Sequence, residues 1–249
     1  MVVDAWVLGG TSGIGAAIIE HLRARGIFSL ALSNDIEAGR RLASSGQPFD
    51  FLDLGQSGVD VSRRTENLLA QYGLPMYVFM SAGLTREETA LETSADDWLL
   101  LANVNLLGVV QLCNRIARAW KADGENAWHR QIVILGSVNA IRPLSSQGAY
   151  SVMKAGLHAY AKCLSNDVAK DHIRINLVAP GAVWTPMNET LFADDATGEA
   201  QRRVGTDSLT GRWGKAEEIA EVATWLALDS PSFLTGAELV VDGGYIVKR

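Results

Sequence analysis

The stretch Ala5-Trp6-Val7-Leu8-Gly9-Gly10-Thr11-Ser12-Gly13-Ile14-Gly15 runs from four apolar residues through a glycine-rich turn into an amphipathic segment, Ile14–Arg25. An apolar run this short reads as a buried strand, and the segment after the turn reads as a helix. Glycines between the two permit a tight turn and let an anion approach the backbone at the positive end of the helix. Their spacing, G-x-x-x-G-x-G, differs from the commoner dinucleotide fingerprint, and a glycine-rich turn alone is weak evidence. The strand–turn–helix setting favours a diphosphate cradle over a merely structural turn.

The same alternation continues along the chain. Candidate strands are Ala5–Leu8, Phe28–Ser33, Phe49–Asp53, Met76–Ser81, Gln131–Ser137, Arg174–Ala179 and Glu238–Val241. Helical patterns lie between them at Ile14–Arg25, Ile36–Ser44, Gly58–Gln71, Asp96–Lys121, Ala149–Lys170 and Ala216–Ala227. Strands alternating with helical crossovers predict an α/β fold with a parallel sheet of about seven strands and helices on both faces. Val78-Phe79-Met80 and Ile132-Val133-Ile134-Leu135 are apolar on both faces, as strands covered on each side should be. No repeat or long linker interrupts the 249 residues, so a single domain over 1–249 is expected. Residues 188–209 break the pattern with Asp194-Asp195, Gly198 and Gly205. They read as a mobile helix–loop lid after a strand end, or as a long exposed loop.

Composition narrows the classes. Apolar residues make up 48%, charged residues 20%, and the net charge is −6. No global basic field exists to hold nucleic acid or an anionic membrane. Cys113 and Cys163 sit in helical patterns without metal-ligand spacing, so they read as reduced thiols rather than as a disulfide or metal site. Met1–Trp6 carries Asp4 and is no signal peptide, and no apolar stretch approaches the ~20 residues of a bilayer span. A cytoplasmic setting is expected.

Selection between NAD(H) and NADP(H) belongs at the end of the second strand, where an acid can hold the ribose 2′-hydroxyl. There the chain reads Ser33-Asn34-Asp35. Ser33 stands where an NAD-selective Asp is expected, and no Arg is adjacent for a 2′-phosphate. Asp35 would repel a phosphate if it swung in, which tips the reading toward NAD(H). Asp53-Leu54, ending the third strand, offers either an adenine contact or, through Asp53, a helix cap.

Tyr150-Ser151-Val152-Met153-Lys154 is the most informative segment. On a helix, positions i and i+4 share a face, so the phenol and the ammonium enter one space. A tyrosine titrates near ~10; bringing it to neutrality takes about 4 kcal/mol of differential stabilisation, which a nearby cation helps supply. Lys154 is also placed to bind the nicotinamide ribose. Ser137, ending the fifth strand, faces the crevice at the carboxyl end of an open parallel sheet and is suited to hold a substrate oxygen. Asn105, inside a long apolar helix, needs buried partners; it either anchors a water leading to Lys154 or is a satisfied structural amide.

Together these residues make the chain resemble, over essentially its whole length, the compact single-domain short-chain dehydrogenase/reductases. The resemblance implies a doubly wound Rossmann-type fold and a catalytic tetrad of Asn105, Ser137, Tyr150 and Lys154. It implies cofactor contacts at Gly9, Thr11, Ser12, Gly13, Ile14, Gly15, Ser33, Asn34, Asp53, Leu54, Ala82, Gly83, Tyr150 and Lys154. Asn176-Leu177-Val178-Ala179-Pro180-Gly181 resembles the family's nicotinamide-wrapping segment, implying further contacts at Pro180, Gly181, Val183 and Thr185. Gly211-Arg212-Trp213-Gly214 and Val241-Asp242-Gly243-Gly244 resemble its C-terminal signatures. Met80-Ser81-Ala82-Gly83 departs from the family's usual Asn-Asn-Ala-Gly, and Leu8 replaces a frequent Thr; neither touches the tetrad.

The implied activity is hydride transfer between a nicotinamide and a carbonyl or secondary alcohol. By position after the fifth and sixth strands, Val138, Asn139, Trp184, Met187 and Leu191 are expected to line the substrate pocket, suiting a small apolar or cyclic substrate. The lid has no basic cluster that would favour a carrier-bound acyl group, yet a 3-oxoacyl thioester reductase shares every motif used. Rival classes are a non-catalytic dinucleotide sensor or scaffold, and an isomerase or dehydratase that uses nicotinamide transiently. The helices Asp96–Lys121 and Ala149–Lys170, apolar beyond one face, and the apolar Tyr245-Ile246-Val247 lead to the expectation of a homotetramer or homodimer.

Overall fold

The computed structural model describes residues 3–124, 129–192 and 197–248, the side chains of Thr190 and Leu191 apart. Seven strands form one parallel sheet: β1 Ala5–Leu8, β2 Ser29–Ser33, β3 Phe49–Phe51, β4 Tyr77–Met80, β5 Gln131–Leu135, β6 Arg174–Pro180 and β7 Glu238–Val241. Their order is β3-β2-β1-β4-β5-β6-β7, so the winding direction reverses between β1 and β4. Ala5 pairs with both Ser29 and Tyr77, and Leu8 with both Leu32 and Met80. Crevices that bind ligands open beyond the carboxyl ends of strands at such a reversal.

The helices are α1 Gly13–Ala24, α2 Ile36–Ser44, α3 Gly58–Tyr72, α4 Ala95–Ala102, α5 Gly108–Asp123, α6 Gly148–Val168, α7 Pro186–Leu191, α8 Glu199–Thr206 and α9 Ala216–Leu228. Alternating strand residues feed two cores. Trp6, Leu8, Val78, Met80, Ile132 and Ile134 pack with α3, α5 and α6. Ala5, Val7, Phe79, Val133 and Leu135 pack with α1 and α9 on the opposite face. This explains the unbroken apolar runs in the sequence. Phe79 is fully buried, so its truncation to alanine should cost about 3–5 kcal/mol.

Side-chain caps start several helices where the chain leaves a strand. Asp35 accepts from Ala38 N at 2.9 Å, Ser57 from Asp60 N at 3.3 Å and Ser94 from Asp97 N at 3.1 Å. Each satisfies a backbone donor that lacks an intrahelical partner. The region read as one helix over Asp96–Lys121 is α4 and α5 joined by a π-turn, Asn103–Leu107, in which Gly108 N–H bonds to Asn103 O. The combined segment Ala95–Asp123 is long and apolar enough to cross a membrane, contrary to the sequence reading. Leu101, Val109, Leu112, Cys113, Ile116 and Trp120 along it are buried, which is the behaviour of a core helix. The 188–209 segment holds the end of α7 and all of α8, and residues 193–196 lie outside the described ones.

Candidate active site

A cleft of about 990 Å³ opens at the carboxyl end of the sheet, reaching from the β1–α1 turn to Tyr245. At one end, Gly9 and Gly13 have φ of 72° and 51°. A Cβ on Gly9 would lie 2.9 Å from the backbone of Ala82, and one on Gly15 would lie 2.2 Å from Gly9 O. Only glycine therefore lets this turn close on itself and on the end of β4. The turn leads into α1, whose N-cap Ser12 makes no side-chain capping bond and whose first turn has no acidic residue. Amides at an uncrowded, unneutralised helix N-terminus fit a diphosphate. Thr11, Ser12, Gly13 and Ile14 line the cleft beside Gly9. Gly15 is not among the lining residues; its contribution is the close packing against Gly9.

Ser33, Asn34, Asp53 and Leu54 line the adjoining wall. Ser33 Oγ accepts from Thr11 Oγ1 at 3.0 Å and from Asp35 N at 3.1 Å. Asp35 also lines the cleft, with one carboxylate oxygen, Oδ1, engaged in capping α2. Asp53 accepts from Asn34 Nδ2, Gly55 N and Gln56 Nε2 at 3.4, 2.9 and 2.9 Å. It shapes the turn after β3, while Ser57 takes the capping role at α3. Lys154 and Arg203 are the only cations among the described residues lining the cleft, and neither belongs to the β2–β3 wall.

Ser137, Tyr150 and Lys154 line the middle of the cleft, whereas Asn105 is not among its lining residues and packs behind Leu84. The π-turn carries the fully buried Asn105 inward, where Oδ1 accepts from Leu84 N at 3.0 Å and Nδ2 donates to Leu84 O at 2.8 Å. Nδ2 also donates to Leu101 O at 3.1 Å. Ser137 lies just past β5 and caps the 3₁₀ turn Val138–Ala140, its hydroxyl accepting from Asn139 N at 3.1 Å. Tyr150 and Lys154 share one face of α6, with Lys154 Nζ 5.6 Å from the phenol ring centre and donating to Leu135 O at 2.9 Å. A Cβ on Gly83 would lie 3.2 Å from Asn105 Oδ1 and 3.8 Å from Lys154 Nζ. Asn105 and Lys154 thus approach the backbone of this loop from opposite elements.

Burial dominates the electrostatics. It pushes the Tyr150 phenol up to about 12, against the opposing hydrogen bond from Ser137. It also pulls the Lys154 ammonium down to about 8. The sequence expectation of a phenol lowered by its lysine neighbour is therefore reversed: desolvation penalises both charged forms. Tyr150 stands ready as a proton donor. The arrangement suits delivery of a proton to an oxygen that gains charge at the Ser137–Tyr150 end of the cleft.

Ala82, Gly83, Pro180, Gly181, Val183 and Thr185 line the region between cradle and tetrad. Beyond the tetrad, Val138, Asn139 and Met187 line the far end as expected from position, with Asn139 Nδ2 donating to Gln147 Oε1 at 2.7 Å. Trp184 does not line the cleft. Its ring packs edge-on against Trp213 at 5.2 Å, and Trp213 itself lines the cleft with Phe192. Gly205 makes room, since a Cβ there would lie 2.3 Å from Trp213. The side chain of Leu191 lies outside the described residues.

Sequence reasoning passed over Gln147, Phe192, Arg203, Trp213 and Tyr245, all of which border the cleft. A glycine inside the helical run of α8 was the legible sign of a large ring packed against it. Arg202 and Arg203 were also overlooked as an adjacent basic pair on α8; Arg202 donates to Thr197 O at 3.0 Å, and Arg203 faces the cleft.

Comparison with known proteins agrees with this geometry. A family model described as enoyl-(acyl carrier protein) reductase matches residues 9–246. Carbonyl reductase family member 4 of Danio rerio is 34% identical over 243 residues, covering 96% of each chain. The 3-oxoacyl-[acyl-carrier-protein] reductase of Chlamydia trachomatis is 32% identical over 246 residues, again covering 96% of each. A solved 4-hydroxyisoleucine dehydrogenase complexed with NADH superposes with a TM-score of 0.87 at 23% identity, covering 98% of this chain and 99% of that one. At that identity the likeness speaks to the fold.

Proposed function

For a chain that belongs to the short-chain dehydrogenase/reductase family and is an NAD(P)-dependent oxidoreductase, we propose that Tyr150 is the acid–base of carbonyl–alcohol interconversion, served by Ser137, Lys154 and Asn105. The observation that carries the reading is the convergence of half-buried Tyr150 and buried Lys154 on one face of α6 beside Ser137. A bound nicotinamide supplies the hydride acceptor or donor. The glycine turn with Thr11, Ser12 and Ile14 holds the diphosphate, and Ser33, Asn34, Asp53 and Leu54 hold the adenosine side. Ala82, Gly83, Pro180, Gly181, Val183 and Thr185 flank the nicotinamide side, and Lys154 binds its ribose.

In reduction, Ser137 Oγ–H and Tyr150 Oη–H both point hydrogen-bonding capacity at the carbonyl oxygen. Ser137 orients it, and Tyr150 donates its proton as the oxygen becomes an alcohol. In oxidation, the proton returns to Tyr150 Oη. Lys154 favours the phenolate electrostatically at that moment, while Asn105 fixes Leu84 and the loop around Gly83. Pre-set donors need little reorganisation when charge develops.

The substrate is a small apolar or cyclic carbonyl compound or alcohol, a reading supported by Met187, Phe192, Val204 and Trp213 at the far end of the cleft. The second reading is reduction of a 3-oxoacyl thioester, supported by the relatives' activity and by Arg203 facing the cleft. The cofactor is NAD(H) in preference to NADP(H): no Lys or Arg on the β2–β3 wall is placed for a 2′-phosphate. The chain acts as one cytoplasmic domain whose 188–209 segment closes over the substrate. It assembles as a homotetramer or homodimer through exposed Leu99, Leu107 and Val152, with Trp225 and Val240 on a second face.

Calorimetry with NAD(H) and NADP(H), followed by a panel of ring ketones, aliphatic ketones and 3-oxoacyl thioesters read by nicotinamide absorbance, tests this reading. Tight binding of NAD(H) with ketone turnover is expected. Binding of neither cofactor would overturn it.

A further inference from the structure

Beyond the tetrad, α6 carries a second polar stripe on the same face: His158 and Lys162 follow Tyr150 and Lys154 at successive helical turns. His158 is 6% exposed. Its Nε2 lies 3.2 Å from Ser137 N, and its Nδ1 lies 3.0 Å from Glu238 Oε1 on β7. The other oxygen of Glu238 lies 3.0 Å from Lys162 Nζ. Gly136 is what admits the ring, since a Cβ there would lie 2.2 Å from His158 Nε2.

The partners fix the proton. A backbone N–H only donates, so Nε2 must accept from Ser137; Nδ1 then carries the hydrogen and donates to the carboxylate. The end of β5 is consequently gripped twice by α6, through Lys154 on Leu135 O and through His158 on Ser137 N. We propose that His158, its tautomer set by Glu238 and Lys162, is the positioning residue that holds Ser137 against Tyr150, and that imidazolium formation releases it. A proton on Nε2 would set N–H against N–H and break the grip.

The charged groups around the ring decide when that happens. Burial lowers the imidazole below its ordinary range; Glu238 from β7 opposes this, and Lys154 and Lys162 from α6 reinforce it. The ring therefore takes up its second proton at lower pH than a free imidazole does.

The idea rests on Ser137 acting in catalysis, and its test separates the two. One arm needs no substrate: ¹⁵N imidazole and Ser137 amide resonances of the wild-type protein and of Glu238→Gln across pH 4.5 to 8. A neutral Nδ1–H tautomer is expected near pH 7, with the Ser137 amide shifting as the ring protonates, and with that midpoint moved to lower pH in Glu238→Gln. An Nε2–H tautomer, or a Ser137 amide indifferent to the ring, would overturn the proposal.

The second arm follows ketone reduction, where Tyr150 is already protonated and adds no acid limb of its own. His158→Leu, which lacks an acceptor, should lower kcat tenfold or more with the nicotinamide KM unchanged. His158→Gln, which keeps an uncharged acceptor, should recover kcat to within threefold of wild type and lose the wild-type decline in acid. Equal losses in both variants, or an acid limb that persists in His158→Gln, would contradict the proposal. Full turnover by Tyr150→Phe would sink the catalytic reading while leaving the tautomer result standing.

Discussion

Lys154 and Tyr150 stack on one face of α6 with the ammonium nitrogen 5.6 Å from the centre of the phenol ring. Burial, rather than their mutual attraction, governs both: the phenol rises to about 12 and the ammonium falls to about 8. A cation held in a site that disfavours its charge destabilises the fold for the sake of the site.

That cost has a defined pH window. The folded-state value of Lys154, about 8, lies below its ordinary 10.5. Folding therefore bears the full penalty below pH 8, and the penalty fades as pH rises through 10.5. Relative to Lys154→Met, the wild type should gain up to about 3 kcal/mol across that range. Chemical denaturation of both proteins at pH 7.5 and 10.5 checks it; a pH-independent difference would contradict it. Catalytic rate should fall at least a hundredfold in the same variant.

Asn105 satisfies both backbone groups of Leu84 from inside the π-turn. Asn105→Ala would leave the Leu84 amide and carbonyl without these partners, costing about 1–3 kcal/mol of stability. Because the loop carrying Gly83 would loosen beside Lys154, kcat should fall about tenfold or more. Denaturation midpoints and steady-state kinetics on the same preparation test both expectations.

Much of this site was legible because its chemistry is written in local patterns. Gly9, Gly13 and Gly15 mark a turn no larger residue can make, and the four-residue step from Tyr150 to Lys154 places two side chains on one helix face. Other features depend on contacts distant in sequence. Trp184 has the right position for a pocket residue, but Trp213, nearly thirty residues on, draws its ring away. Asp35 lines the cleft as its position suggested, but one of its carboxylate oxygens is committed to Ala38 N, a local cap the sequence reading did not include. The π-turn at Asn103–Leu107 was hidden because an inserted residue barely disturbs an apolar helical period. Burial, which reverses the expected direction for Tyr150, is a property of the assembled fold.

The glycine cradle gives a paired expectation. Gly15→Ala forces a Cβ to 2.2 Å from Gly9 O, so the turn must open and dinucleotide affinity should drop at least a hundredfold while the far-UV circular dichroism is retained. Gly26 has a φ of 71° but open space where a Cβ would stand. Gly26→Ala should cost about 1 kcal/mol from the left-handed backbone alone and leave cofactor affinity unchanged. Calorimetry on the two variants distinguishes the cases.

Cofactor choice should respond to a single carboxylate. Ser33 stands at the end of β2 and accepts from Thr11 Oγ1. Ser33→Asp adds an acceptor for a ribose diol and a charge that repels a 2′-phosphate. The ratio of NADP(H) to NAD(H) dissociation constants should rise at least tenfold. An unchanged ratio would show that selection lies elsewhere in the cleft.

The central claim concerns one hydroxyl. Tyr150→Phe removes the proton donor while keeping the ring and its packing against Lys154. With folding verified by circular dichroism and nicotinamide binding by calorimetry, turnover of a ketone reduced by the wild type should fall by at least about a thousandfold, within the range assigned to general acid–base catalysis. Near-normal turnover in that folded, cofactor-binding variant would contradict the assignment of Tyr150 as the acid–base.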